Sequence, residues 1–293
     1  MLHNSPLSTI GFKMYFTLVT GASGGIGKAL ATECARKGMH LLLVALPGFE
    51  LTELVSQIRK TYKVHCYGLG VDMSEAHASQ EVYDWVKEND FNVNVLINNV
   101  GVGSKGEFDK LSTCFYQKQI NLNVVTTCMM TRLFLDDLKR NAPAHIMNTG
   151  SMGGFYALPN KAVYSATKSF VYSLTKSLRL ELANTGVQVS VLCPGGTDSN
   201  EKTIAINKDL KGIAKMSILQ PDEVAKEAID KMLKGKSRII PGTVNKICYH
   251  ISRLVPEFVH NFFIGRAFKH VHKHGYSEGV HQVPEPKMAK VAN

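Results

Sequence analysis

The chain has 293 residues, 44% of them hydrophobic, and its 34 Lys and Arg against 24 Asp and Glu give a formal charge of +10. A chain of this size and apolar content buries a substantial core without disulfide staples, which excludes disorder as its dominant state. No window reaches the ~18 consecutive apolar residues of a membrane span, and residues 1–13 lack the basic-then-apolar order of a secretory leader, so the expected setting is cytoplasmic.

Short apolar runs alternate with helical patterns along most of the chain. Strands are expected at residues 15–20, 40–46, 64–68, 95–99, 145–148, 187–193 and 237–240. Between the first two, Ile26, Ala29, Leu30 and Cys34 recur at a helical period that stops at Gly38. After Ala162, a longer helix carries Val171, Leu174, Leu178 and Leu182 on one face and stops near Gly186. Alternation of this kind specifies an α/β fold, a doubly wound parallel sheet of the Rossmann type. The expected organisation is one doubly wound domain over residues 14–242 with a helical extension over 243–293.

The turn after the first strand reads Thr20, Gly21, Ala22, Ser23, Gly24, Gly25, Ile26, Gly27 and runs straight into the first helix. Glycine permits a tight turn and close backbone approach to a pyrophosphate, whose negative charge the helix N-terminus favours. Gly21, Ser23, Gly25, Ile26 and Gly27 are therefore the expected cofactor contacts. The spacing is GxxxGxG, distinct from the usual GxGxxG fingerprint. Further on, Tyr164 and Lys168 stand at i, i+4 near the start of the long helix and share a face. Ser151 precedes them by 13 residues, just past a strand end.

In this order the motifs resemble the short-chain dehydrogenase/reductase family. Residues 20–27 match its TGxxxGxG turn, and Asn98, Asn99, Val100 and Gly101 resemble its NNAG motif, with Val100 in place of alanine. Asp72 matches the acidic residue that contacts adenine, and Cys193, Pro194, Gly195, Gly196 and Thr197 resemble the stretch that contacts nicotinamide. The resemblance implies a catalytic set of Asn123, Ser151, Tyr164 and Lys168, with Asn121 a rival for the first position. It also implies cofactor contacts at Asp72, Asn99, Gly101, Tyr164, Lys168, Pro194, Gly195 and Thr197, and a homodimer or homotetramer.

The chemistry fits these residue types. Hydride transfer at a carbinol carbon needs a proton to move at the oxygen. Tyrosine titrates near 10 when free, and the Lys168 ammonium is expected to lower that value. Ser151 would polarise the substrate oxygen, and Asn123 would position a water linking Lys168 to solvent. The reading is an NAD(P)-dependent oxidoreductase acting on a carbonyl or alcohol, which Phe155 and Tyr156 suggest is lipophilic. A non-catalytic NAD(P)-binding regulatory or scaffold protein is the alternative.

At the end of the second strand stand Ala45, Leu46, Pro47 and Gly48, neither the acid that binds NAD ribose nor the Arg that accepts the NADP phosphate. An unpaired phosphate dianion costs more than an unpaired hydroxyl, so the sequence leans to NAD with NADP open. No metal is expected, since Cys34, Cys66, Cys114, Cys128, Cys193 and Cys248 form no CxxC pair.

The charge is unevenly placed. Between Lys231 and Asn293 lie 11 of the 34 Lys and Arg but only 3 of the 24 Asp and Glu, so the rest of the chain is nearly neutral. In the extension, Ile247, Ile251, Leu254, Phe258, Phe262 and Phe263 recur at helical spacing beside Arg266, Lys269 and Lys273. This helix packs on its own domain or a second subunit, or touches an anionic membrane surface; no nucleic-acid motif accompanies the charge.

Overall fold

A computed structural model describes residues 13–104, 106–208, 210 and 212–256. The order is β1 (Tyr15–Thr20), α1 (Gly25–Arg36), β2 (His40–Ala45), α2 (Phe49–Thr61), β3 (Cys66–Gly70), α3 (Ala78–Glu88), β4 (Asn92–Asn98), α4 (Thr113–Ile120), a π-helical turn at Asn121–Val125, and α5 (Thr126–Arg140). It continues with β5 (Ala144–Thr149), α6 (Ala162–Glu181), β6 (Val187–Leu192), α7 (Glu201–Lys208), α8 (Gly212–Met216), α9 (Pro221–Leu233), β7 (Arg238–Ile239) and α10 (Thr243–Ser252). All seven predicted strands are present, their bounds shifted by no more than a few residues.

The strands pair in parallel in the order β3-β2-β1-β4-β5-β6-β7, the expected doubly wound sheet. Helices cover both faces, so β1 and β2 are buried on both sides and read as near-continuous apolar runs, whereas the edge strand β3 alternates half-buried and exposed residues after a buried Cys66. Leu41 and Leu43 of β2 face Leu30 and Cys34 of α1 and Ile58 of α2, while Leu42 and Val44 face the layer holding Val82, Met130, Phe134 and Leu138. The strand order reverses between β1 and β4, and a crevice outside the carboxyl ends of the strands forms at such a reversal.

Two findings depart from the sequence pattern. On α6 the buried positions are Ser165, Thr167, Lys168, Val171 and Thr175, whereas Leu174 and Leu178 are only half-buried. The helix is thus sunk through a polar stripe. Thr175 takes the Asn148 amide at 3.0 Å, and Asn148 takes that of Asn98 at 2.8 Å, tying β4, β5 and α6 together through buried side chains.

The second departure concerns residues 243–252, which the sequence groups with the extension. α10 buries Asn245 and Tyr249 against the domain, and Tyr249 packs in a cluster with Val191, Cys193 and Ile240. By these contacts the packed domain runs through α10. The helix turns Ile247 and Ile251 outward, each about half exposed, so the apolar period read from the sequence lies on its open face. Phe258, Phe262, Phe263, Arg266, Lys269 and Lys273 lie outside the described residues.

Candidate active site

The glycine-rich turn sits at the carboxyl end of β1. Gly21 and Gly25 have φ of +65° and +50°, values that side chains rarely adopt. Gly24 caps α1 in an extended conformation, and no side chain closes the helix start, so its first amides face the crevice with the helix dipole behind them. Ser23 and Ile26 are partly buried beside them. Gly27 is required by close approach: a Cβ there would lie 1.9 Å from the Gly21 carbonyl oxygen, and backbone cannot yield that far. A cradle of this shape fits a dinucleotide pyrophosphate. Gly27→Ala is expected to weaken dinucleotide binding at least tenfold in a fluorescence titration and to lower stability by roughly 1–3 kcal/mol. Gly24→Ala, where a Cβ meets nothing within 4 Å, should keep its melting temperature.

The Asn98–Gly101 segment locks onto this turn. Thr20 Oγ1 accepts from the Asn99 and Val100 amides at 3.0 and 3.2 Å, and the Asn99 side chain donates to the Thr20 and Gly21 carbonyls, both at 3.2 Å. Asp72, just beyond β3, accepts from the Ser74 amide and hydroxyl and pairs with Lys118 at 3.4 Å. Burial works against its ionised form, but these bonds together hold the carboxyl below its usual range.

Of the two asparagines proposed for the fourth position, Asn123 is the buried one, at 1% exposure, inside the π-helical turn. Such turns recur at functional sites. Its side chain accepts from the Val102 amide at 2.8 Å and donates to the Val102 carbonyl and Thr167. Asn121 instead bonds Gln117 and Ser74 away from the site. A Cβ on Gly101 would fall 2.7 Å from Asn123 Oδ1 and 3.4 Å from Lys168 Nζ, so three of the predicted residues meet at that point.

Ser151 ends the β5 turn, and its Oγ accepts from the Gly153 amide at 3.0 Å, which leaves the hydroxyl proton free; the hydroxyl favours the ionised form of the nearby Tyr164 phenol. Lys168 Nζ donates to the Thr149 carbonyl at 2.8 Å and lies 6.0 Å from the Tyr164 ring centre. The electrostatics differ from the sequence expectation. Burial pushes the Tyr164 phenol up, against the pull of the Ser151 hydroxyl, and burial pushes Lys168 down to about 8. Desolvation penalises both charged forms more than the separated pair gains. The site therefore holds a neutral phenol at pH 7, with a buried ammonium behind it that is easily discharged.

Pro194, Gly195 and Thr197 follow β6 along the same edge. The Pro194 carbonyl accepts from the Met152 amide at 2.9 Å, joining this segment to the serine turn, and Thr197 bridges Leu219. Gly195 is pressed against Asn245 of α10, whose Nδ2 donates to the Ser217 and Pro241 carbonyls at 3.1 and 3.0 Å. The loop expected to wall the substrate is partly committed elsewhere: Phe155 packs edge-on to Tyr172 and against Tyr249, and the Tyr156 hydroxyl bonds Ser252. Gly103 and Gly153 lie beside the Tyr164 ring, where a Cβ would stand 3.9 and 3.4 Å from it, and Leu158 packs against the Gly153 position.

Three residues escaped the sequence reading. Asn245 supports the nicotinamide-side segment from 50 residues away, and no local pattern signals it. Glu50 brings Oε2 to 3.0 Å from where a Gly48 Cβ would stand, at the end of β2, so an acid is present at that corner after all. Lys161 places Nζ 5.8 Å from the Tyr164 ring centre. Its i−3 spacing from Tyr164 was the available signal.

A family model described as short chain dehydrogenase matches residues 16–210. The chain is 32% identical over 186 residues to the very-long-chain 3-oxoacyl-CoA reductase of Bos taurus, covering 61% of this chain and 58% of that protein. Its identity to the Homo sapiens protein of the same name is 31% over 189 residues, with 61% and 58% covered. The chain thus spans less than three fifths of the length of these relatives. Among solved structures, the bulky-bulky ketone specific alcohol dehydrogenase from Comamonas testosteroni aligns with a TM-score of 0.70 at 24% identity over 94% of this chain and 100% of that one. An alcohol dehydrogenase from the archaeon Thermococcus sibiricus, solved with 5-hydroxy-NADP, aligns with a TM-score of 0.67 at 27% identity over 78% and 95%.

Proposed function

Since the chain belongs to the short chain dehydrogenase family, we propose that it is a nicotinamide-dependent oxidoreductase that reduces a ketone or aldehyde to an alcohol near neutral pH. The observation that carries this reading is the convergence of Ser151, the partly buried Tyr164 phenol and Lys168: a Cβ on Gly153 would stand 3.4 Å from both Ser151 Oγ and the Tyr164 ring, and Lys168 Nζ lies 6.0 Å from the ring centre. The residues of the crevice fit a dinucleotide: residues 21–27 for the pyrophosphate, Asp72 for adenine, and Asn99, Gly101, Pro194, Gly195 and Thr197 along the nicotinamide side. When bound, the reduced nicotinamide supplies the hydride. Ser151 donates to the carbonyl oxygen, Tyr164 gives that oxygen its proton, and the Lys168 charge offsets the phenolate left behind. Asn123 holds the segment at Val102 and the α6 helix in register through Thr167. A panel of carbonyls and alcohols run with both cofactors tests this reading; dinucleotide binding without turnover on any of them would favour the non-catalytic alternative.

The cofactor we assign is NAD ahead of NADP. Leu46, Pro47 and Gly48 are exposed and offer no cation, and the Glu50 carboxylate beside Gly48 supplies an acceptor for a ribose hydroxyl and repels a phosphate. Titration of both dinucleotides should give the lower Kd for NADH, and Glu50→Lys should move the ratio at least tenfold toward NADPH. A wild-type preference for NADPH overturns the assignment. The relatives named as very-long-chain 3-oxoacyl-CoA reductases support a lipophilic carbonyl as the substrate class. A cytoplasmic setting and a homo-oligomer belong to the same proposal. So does contact with an anionic lipid surface through the extension, whose described part presents Ile247, Ile251 and Leu254 outward. Among the described residues no helix is long and apolar enough to cross a membrane.

A further inference from the structure

Two ammonium groups flank the Tyr164 ring. Lys168, four residues on, is bonded to the Thr149 carbonyl and belongs to the acid/base set. Lys161, three residues before, is the N-cap residue of α6, with Nζ 5.8 Å from the ring centre, and the reaction as derived above does not use it. The side chain is partly buried, and burial pushes the Lys161 pKa down by penalising the charged ammonium; no carboxylate among the described residues answers its charge. The position is built by the backbone. Asn160 adopts φ +63°, a conformation that asparagine tolerates better than most residues, and its carbonyl is held by the Gly106 amide at 3.0 Å. That kink delivers the next residue to the start of α6. A cation drawn partly out of water without a partner costs free energy that an incoming anion recovers.

We propose that Lys161 forms an anion subsite of the substrate pocket and selects carbonyl substrates bearing a carboxylate a few bonds from the reacting carbon. The inference rests on the oxidoreductase reading of Tyr164. The subsite would sit beside the Tyr164 ring, within 5.8 Å of its centre, so a substrate held there presents its ketone to the phenol and its carboxylate to Lys161.

Two measurements test it. In the first, octanoate and octanamide are titrated calorimetrically into the protein saturated with dinucleotide. Octanoate should bind at least tenfold tighter than the amide, Lys161→Met should erase that difference, and Lys161→Arg should keep most of it. Equal affinities in the wild type, or an equal loss for both ligands in Lys161→Met, overturns the proposal. Because the wild-type comparison needs no variant and no turnover, it decides the matter even if Lys161→Met folds poorly or the protein transfers no hydride. In the second, kcat/KM is compared for 4-oxooctanoate and its methyl ester. The acid should lose at least tenfold more than the ester in Lys161→Met; a parallel loss overturns the selectivity. Absence of hydride transfer to every carbonyl, with octanoate still preferred over octanamide, would refute the oxidoreductase reading while leaving the subsite standing.

Discussion

Replacing Tyr164 with phenylalanine is expected to lower kcat by about 10²- to 10⁴-fold, the range general acid catalysis supplies, with dinucleotide affinity changed less than about threefold. The substitution removes one oxygen and leaves the ring that packs beside Gly103 and Gly153. What is lost structurally is one hydroxyl, at most a single hydrogen bond worth about 0.5–1.5 kcal/mol net, so the melting temperature should move by a few degrees at most. Loss of turnover can then be read as loss of the proton donor. The measurement is nicotinamide absorbance under single-turnover conditions, paired with a fluorescence titration of the dinucleotide. Wild-type turnover in this variant would remove Tyr164 from the acid/base role. In the wild type, the raised phenol predicts that carbonyl reduction is sustained through neutral pH and that alcohol oxidation, which needs the phenolate, gains as pH rises.

Lys168→Met should abolish turnover and stabilise the fold. Burial pushes the folded-state lysine down to about 8, whereas an unfolded lysine titrates near 10.4. Below pH 8 both states carry the proton, and the folded state bears the full desolvation cost. Between about 8 and 10.4 the unfolded state binds protons that the folded state has released, so stability rises with pH across that window. Above it the penalty is gone. The gap corresponds to a cost on the order of 3 kcal/mol, part of which methionine gives back by leaving the Thr149 carbonyl without its donor, roughly 1–3 kcal/mol. A net gain of up to about 2 kcal/mol at pH 7 would raise Tm by a few degrees for a domain of this size. The gain should shrink as the melts are repeated toward pH 10. A variant less stable than wild type at pH 7, or a gain that grows with pH, contradicts the assignment of a strained ammonium at this position.

The sheet was legible because a strand buried on both faces leaves an apolar run that interrupts the helical period, as His40–Ala45 does between α1 and α2. The glycine turn was legible for a different reason: its requirements are local, set by φ at Gly21 and Gly25 and by contact between Gly27 and Gly21. The electrostatic balance at Tyr164 and Lys168 could not be read that way. Spacing placed the two groups on one face, but whether attraction or desolvation governs them depends on β5 and β6 closing over both. Asn123 was chosen over Asn121 by its resemblance to a motif, and the structure shows the physical distinction, a π-helical turn that rotates Asn123 inward toward Val102 and Thr167. The polar stripe of α6 is not legible along the helix because Thr175 is paired through Asn148 to Asn98 across three elements, a condition invisible along any one of them.

Asn245 has a practical consequence for anyone cutting or tagging this chain. Its amide is wedged between Gly195 and the Ser217 and Pro241 carbonyls, so the helix that carries it works as a keystone for the loop at the mouth of the crevice. Trimming the chain at residue 242 would pull that keystone, and the inactive product would say nothing about what the basic tail does. Dissection of the tail has to begin beyond Ser252, whose hydroxyl accepts from Tyr156 at 2.8 Å.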